Sequence, residues 1–299
     1  MRIAMTGATG LIGSALAPAL AAQGHEIIRL VRRNPRAEAG EYYFDPLVEQ
    51  MDWRALEGVE AVIHLAGENI GQRWTRQAKE RIHRSRVVGA AMLVRAMKEA
   101  PQRPRVFISA SAVGYYGPRG HEPITEEAGP GQGFLARVCQ EWEAAAMAAH
   151  EMGVRVVLAR MGVVLSARGG ALARLLPIFR LGLGGPVGSG QQYVSWVALD
   201  DVVAAFLWLL EKEELTGPFN VTSPEPVTFA ELARTLGRVL GRPAFLRVPG
   251  FLLRLALGEM AQETLLSGQR ALPKRLLDSG FQFRFPRLEE ALHHLLGRS

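Results

Sequence analysis

Met1-Arg-Ile-Ala-Met-Thr-Gly-Ala-Thr-Gly-Leu-Ile-Gly-Ser-Ala-Leu16 decides the fold. Ile3 to Met5 is a short apolar run of the kind that forms a buried strand. It breaks at Gly7, and from Leu11 the apolar residues recur at helical spacing (Leu11, Ile12, Ala15, Leu16, Ala19, Leu20). Strand, glycine turn and helix in this order form the phosphate-binding opening of a dinucleotide fold. One glycine permits the tight turn, a second lets backbone approach a pyrophosphate, and a third lets helix and strand pack closely. The free N–H groups and the positive end of the helix dipole then face the phosphates. The glycines stand at 7, 10 and 13, a G-x-x-G-x-x-G spacing. The expected contacts are Thr6, Gly7, Thr9, Gly10, Leu11, Ile12 and Gly13.

Outward from this stretch, the helix should run to about Gln23 and end at Gly24, with Pro18 an irregularity inside it. His25 to Val31 reads as the second strand, and it ends in Arg32-Arg33. Arg32 lies 19 residues beyond Gly13, about where a chain that binds the unphosphorylated dinucleotide places an acidic residue for the ribose 2′-hydroxyl. Two guanidiniums there suit a 2′-phosphate, because arginine offers paired donors to phosphate oxygens. NADP(H) is therefore the expected cofactor, held at this end by Arg32 and Arg33.

Further strands are expected at Glu41–Phe44, Ala61–Ala66, Arg105–Ala110 and Val154–Arg160, with helices at Thr75–Ala100 and Phe134–Met152 between them. Strands alternating with helices mean a parallel sheet with right-handed crossovers, covered on both faces. Beyond Met161 the rhythm changes: Gly and Pro gather between Gly182 and Gly190, and a helix over 197–210 and a strand over 218–221 follow. Thr228-Phe-Ala-Glu231 is a capping box opening another helix, and short helices broken at Gly258, Gly268, Pro273 and Gly280 complete the chain.

The 299 residues carry one cysteine, Cys139, which excludes an intramolecular disulfide, and no zinc cluster or other metal site is evident. No apolar run approaches the roughly 18 residues that span a membrane, and no secretory leader is apparent, so the expected location is cytoplasmic. The net charge of +6 invites a nucleic-acid reading. Six of the fourteen residues from Arg73 to Arg86 are basic, but they wind most of the way round a helix and read as a solvated face. No aromatic platform accompanies them. The expected partners are a small-molecule substrate and, at most, a second copy of the chain, with neither nucleic acid nor membrane.

Taken together these motifs resemble the extended short-chain dehydrogenase/reductase superfamily of nucleotide-sugar epimerases and dehydratases. The carrying residues are Thr6-Gly-Ala-Thr-Gly-Leu-Ile-Gly13, Val62-Ile-His-Leu-Ala-Gly67, Ser109-Ala-Ser-Ala-Val-Gly-Tyr-Tyr-Gly117, Val197-Ala-Leu-Asp-Asp-Val202 and Phe219-Asn-Val-Thr222. More narrowly, the chain is similar to the atypical branch labelled epimerase family protein, with its C-terminal domain of unknown function. Here that domain is marked by Gly258-Glu-Met-Ala261, Gly268-Gln-Arg270 and Gly280-Phe-Gln-Phe-Arg-Phe-Pro286. The resemblance implies a Rossmann-like, doubly wound α/β fold with a smaller, mostly helical C-terminal lobe. Residues 1–165 would form the cofactor domain, joined by helix 197–211 and strand 218–221, and residues 166–299 a substrate or cap lobe. It also implies cofactor contacts at Leu65, Ala66, Gly67 and Ser109.

The superfamily works through Ser/Thr, Tyr and Lys, the Lys one helical turn beyond the Tyr, where it lowers the phenol's pKa and holds the ribose. The Ser maps onto Ser111. The Tyr and Lys positions map onto Phe134 and Val138, or onto Leu135 and Cys139, and neither register supplies them. No lysine occurs between Lys98 and Lys212. What remains at the strand ends is Ser111, Tyr115 and Tyr116 as candidate catalytic residues. Glu68, Asn69, Gln191 and Trp196 are candidate substrate contacts, and Glu259, Gln269 and Arg270 close the cleft or cap short helices. The expected function is an NADP(H)-dependent oxidoreductase acting on a small carbonyl or nucleotide-linked substrate. A non-catalytic NADP(H)-binding sensor or docking protein is the second reading, and a nucleotide-sugar epimerase the third.

Overall fold

Apolar residues alternate sides along each strand, so the central sheet needs a layer of helices on both faces. The computed structural model describes residues 1–297. In chain order, β1 (Arg2–Thr6) leads through the glycine turn into α1 (Gly13–Ala22), then β2 (Glu26–Val31), β3 (Glu41–Asp45) and β4 (Gln50–Met51). β5 (Ala61–His64) precedes α2 (Arg76–His83), a π-helical turn (Arg84–Val88) and α3 (Gly89–Glu99). β6 (Val106–Ala112), β7 (Pro123–Ile124), α4 (Phe134–Met147) and β8 (Arg155–Met161) follow. Next come β9 (Val163–Ser166), α5 (Gly170–Arg180), β10 (Tyr193–Val194), β11 (Trp196–Ala198) and α6 (Leu199–Glu211). The chain closes with β12 (Gly217–Val221), β13 (Val227–Thr228), α7 (Phe229–Leu240), α8 (Gly250–Leu257), β14 (Arg270–Ala271), α9 (Lys274–Asp278) and α10 (Leu288–Leu295).

The main sheet has the order β12-β8-β6-β5-β1-β2-β3-β4 and is parallel except for β4. Strand order therefore reverses between β1 and β5, the switch point at which open α/β sheets bind ligands. Ile3, Met5, Ile63, Ile108 and Val157 pack on one face with α1 and α6. Their neighbours Ala4, Val62, Phe107 and Val156 pack on the other with α3 and α4. A third cluster, away from the sheet, joins α5, α7 and α10 through Leu176, Phe179, Leu236 and Leu292.

Several expected boundaries shift for identifiable reasons. The helix expected over Thr75–Ala100 is two helices separated by the π-helical turn. The helix opened by Thr228 forms as its capping box requires, with Thr228 Oγ1 accepting from Glu231 N at 3.2 Å. The segment expected to be helical from Val197 instead begins as β11, which pairs with β9 in a small parallel ribbon. Helix α5 was not signalled, since Gly169-Gly170 and Pro177 obscure its period.

Buried His64 sets a pH dependence for this fold. Thr6 Oγ1 accepts from Leu65 N and Ala66 N, both at 3.1 Å, and meets His64 Nδ1 at 2.7 Å, which leaves the hydroxyl proton for the ring nitrogen. His64 Nε2 is buried with no partner among the described residues. Burial is the main cause that lowers the imidazole pKa from 6.5 to about 4. The unfolded chain takes up this proton first, so stability is full above pH 6.5 and falls as the pH drops toward 4. The expected loss is roughly 3 kcal/mol. Urea midpoints from pH 7 to pH 4 measure it, and a His64→Gln variant with an undiminished slope over that range would refute the assignment.

Candidate functional site

At the switch point the glycine turn is built by close backbone approach. Gly7 has φ +68°, and a Cβ added there would stand 2.8 Å from Ala66 N and from the Leu65 carbonyl carbon. A Cβ on Gly13 would lie 2.1 Å from Gly7 O. Gly10 N donates to Gly7 O and Ser14 N to Gly10 O, both at 2.9 Å. Among the described residues, the N–H groups of Leu11 and Ile12 take no backbone acceptor. Thr9 and Gly10 are exposed beside them. A Cβ added at Gly169 or Gly170 would stand 3.2 Å from the Leu11 side chain, so the β9–α5 turn borders the same site. Free N–H groups on a glycine cradle at the helix start fit a pyrophosphate. Thr6 is different from the expectation: it is fully buried, and its hydroxyl ties β1 to β5.

Three arginines gather just beyond β2. Arg33 grips Glu41 with both terminal nitrogens, at 2.6 and 2.5 Å, and Arg36 reaches the same carboxylate at 3.1 Å. Hydrogen bonds from Arg33 and then Arg36 hold the Glu41 carboxyl far below the usual range. Arg32 is exposed and, among the described residues, has no hydrogen-bond or ion-pair partner. It is the free cation of the group, while Arg33 is already paired.

On the other side of the switch point, Ser111 on β6 sits opposite Arg160 on β8. Ser111 Oγ donates to Glu143 Oε1 at 2.6 Å, and Arg160 clasps the same carboxylate at 2.7 and 2.6 Å. Arg160 Nη1 donates to Tyr116 OH at 3.0 Å, and Tyr116 OH donates to Asn220 Oδ1 at 2.8 Å. Burial pulls the Arg160 pKa down, but the hydrogen bonds and charge of Glu143 outweigh it and hold it above the usual arginine value. Tyr115 lies apart from this chain of bonds. It is half-buried, its ring centre is 3.6 Å from Arg160 Cζ, and its hydroxyl has no partner among the described residues.

Burial corrects several expectations. Tyr116 is wholly enclosed and its hydroxyl is saturated by Arg160 and Asn220, so it braces the loop and has no free proton to give. Ser111 is 1% exposed and its proton is committed to Glu143. Ser109 is buried in mid-strand, donating to Ala110 O, and does not reach the edge. Trp196 is core: it is fully buried, with Nε1 on Glu225 O at 2.9 Å. Gln191 is exposed on the glycine-rich loop. Leu65 and Ala66 lie against Gly7, Gly67 lies against Arg86, and Gly67 and Asn69 are exposed. Glu68 is partly covered, paired with Gln72 and Arg81. Glu259 pairs with Lys79 and so ties the C-terminal segment to α2.

On α4 the two mapped registers part company. Phe134 and Val138 pack with Trp74, Ile82 and Met260. Leu135 and Cys139 face the Ser111–Tyr116 loop, Cys139 Sγ lying 4.0 Å from where Gly114 would carry a Cβ. Burial, reinforced by Glu143, pushes the Cys139 thiol up to about 12, so it stays protonated. Sequence reasoning missed Glu143, Arg160, Asn220 and Glu41. The available signal was a charged residue inside an otherwise apolar strand or helix face.

Residues 3–222 match the NAD dependent epimerase/dehydratase family. The chain belongs to it. Residues 248–295 match a domain of unknown function, DUF1731. An epimerase family protein of Mycobacterium leprae is 44% identical over 99% of this chain and 96% of its own length. The crystal structure of human epimerase family protein SDR39U1 (isoform 2) with NADPH covers all of both chains, with 34% identity and a TM-score of 0.89. UDP-glucuronic acid 4-epimerase of Bacillus cereus, solved with UDP-glucuronic acid and NAD, shares the fold at 19% identity and a TM-score of 0.79, covering 98% of this chain and 97% of its own. Family members of this kind have a Rossmann-like α/β fold, and that is the architecture seen here.

Proposed function

We propose that the chain is an NADP(H)-dependent oxidoreductase of a small carbonyl or nucleotide-linked substrate, with Tyr115 as the proton donor. The observation that carries this reading is Tyr115 itself. Of the three polar side chains expected at this edge, it alone is half-buried and keeps a hydroxyl free of partners among the described residues. NADPH, when bound, supplies the hydride. The N–H groups of Leu11 and Ile12 hold the pyrophosphate, and Arg32 meets the 2′-phosphate. Tyr115 gives its proton to the carbonyl oxygen as that oxygen becomes a hydroxyl. Arg160, kept charged by Glu143, lies under the ring that is left negative. Asn69 and Glu68 border the space where a substrate would lie. The NADPH-bound human relative supports the cofactor, as does the free Arg32 just beyond β2.

A second reading, a cofactor-binding protein without turnover, is favoured by Leu135 and Cys139, which bring no proton donor to the loop. Two measurements separate the readings. Calorimetry is expected to give NADPH at least tenfold tighter binding than NADH, about 1.4 kcal/mol. Arg32→Ala should remove most of that preference while NADH is barely affected. Oxidation of NADPH is then followed against a panel of carbonyl compounds, where Tyr115→Phe should lower turnover at least about a hundredfold. Equal affinities for the two cofactors would refute the phosphate assignment. Wild-type rates in Tyr115→Phe would refute the proton donor, and tight binding with no oxidation across the panel would favour the second reading.

A further inference from the structure

The α4 helix lacks the cation that holds the cofactor's ribose in the wider superfamily, yet a cation stands at the same edge of the sheet. Arg86 lies in the π-helical turn Arg84–Val88 that interrupts the helix after β5. Such turns insert one residue and rotate those around it, and they are often found at functional sites. Here the guanidinium is set against the end of β5: a Cβ on Gly67 would stand 3.0 Å from Arg86 Cζ and Nη2. On the other side the group lies 5.5 Å from the Trp142 ring of α4. Nη1 donates to Glu68 O at 3.0 Å and to Ile82 O at 3.2 Å. Among the described residues, Nε and Nη2 have no acceptor and no carboxylate lies within ion-pair distance. Burial lowers the pKa of this guanidinium from the usual arginine value. Every other basic residue of the Arg73–Arg86 run is either exposed or paired with an acid: Lys79 with Glu259, Arg81 with Glu68, Arg84 with Glu49, and His83 with Glu141.

Arg86 is partly covered, and the two guanidinium nitrogens without a protein acceptor are open to a ligand that supplies oxygen acceptors. Ligands of open α/β sheets lie outside the carboxyl ends of the strands at the switch point, and β5 stands there between β1, which leads into the glycine turn, and β6, which carries Ser111. We infer that Arg86 binds the hydroxyls of the nicotinamide-side ribose, supplying from the π-helical turn the cation that α4 lacks. This rests on the NADP(H) reading above. Two donors left over on a planar guanidinium match a vicinal diol.

Calorimetric titration of NADPH and of 2′,5′-ADP, which lacks the nicotinamide half, tests the inference. Arg86→Met should weaken NADPH at least tenfold and leave 2′,5′-ADP within twofold of wild type. Arg86→Lys should recover part of the loss. The thermal midpoint of unliganded Arg86→Met should be no lower than a few degrees below wild type, because the removed cation has no ionic partner. A folded Arg86→Met that binds NADPH like wild type overturns the inference, as does an equal loss for both ligands, which would mean a structural role. Should Arg86→Met fail to fold, Arg86→Lys still decides: the ribose contact then predicts weakened NADPH with unchanged 2′,5′-ADP, and unchanged NADPH overturns it. Wild-type protein that binds 2′,5′-ADP but not NADPH overturns this inference alone. Binding of neither removes the cofactor reading as well.

Discussion

Gly13→Ala should lose NADPH binding by at least a hundredfold and lower the stability of the fold by about 3 kcal/mol. The added methyl would stand 2.1 Å from Gly7 O, 2.7 Å from Ala8 Cα and 2.9 Å from Ala8 C. All three are backbone atoms, so no rotamer change relieves the contact. The turn must open, which draws the first turn of α1 away from β1 and scatters the N–H groups of Leu11 and Ile12. Gly129→Ala is the matched control, because a Cβ there meets nothing within 4 Å and its φ is not positive. It should stay within about 0.5 kcal/mol of wild type. Urea unfolding and calorimetry measure both variants. A Gly13→Ala protein with wild-type stability and affinity would show that the turn yields more easily than its packing implies.

The second large effect is expected at Glu143. Its side chain is 8% exposed and that of Arg160 4%, and the two share a bidentate contact. Glu143→Ala leaves the guanidinium buried without a counter-charge, at an expected cost of about 3–5 kcal/mol. Ser111 loses its acceptor at the same time. Replacing both partners with apolar residues, Glu143→Leu with Arg160→Met, should recover at least half of that loss, since no charge is then stranded. Urea denaturation of Glu143→Leu, Arg160→Met and the double variant completes the cycle. A single Glu143→Ala cost below about 1 kcal/mol would mean that water reaches Arg160 and the pair is not enclosed.

The parts of the molecule legible in the sequence are those whose signals are local. The glycine spacing at 7, 10 and 13 fixes a turn made by adjacent residues, and Arg32-Arg33 follows it at a distance set by one helix and one strand. The partners of these residues are another matter. Glu41 meets Arg33 only because β3 lies beside β2, with Arg29 opposite Glu41. Glu143 and Arg160 are 17 residues apart and come together through the return of α4 across the sheet. Arg86 was hidden among basic residues that read as one solvated helix, because a change of helical phase leaves no mark in a count of charges. Trp196 misled in the opposite direction. Its place beside a glycine-rich loop suggested a pocket, whereas β11 is a three-residue strand too short to show alternation, and it turns the indole into the core.

The bond between Tyr116 and Asn220 joins residues 104 positions apart, and it bears on how the chain is made. During synthesis, β6 and β8 emerge well before β12, the strand that completes this edge of the sheet. Until β12 arrives, Tyr116 has Arg160 but not its acceptor Asn220, and the Glu126 carboxylate lacks Asn220 N, its second donor Arg275 N coming later still. Contacts this distant in sequence form late, since the intervening loop must first be closed. The nascent protein therefore carries an open sheet edge beside β8 for the time needed to add some 60 further residues. That interval is when the chain is most exposed to edge-to-edge association, and most dependent on whatever shields it at the ribosome.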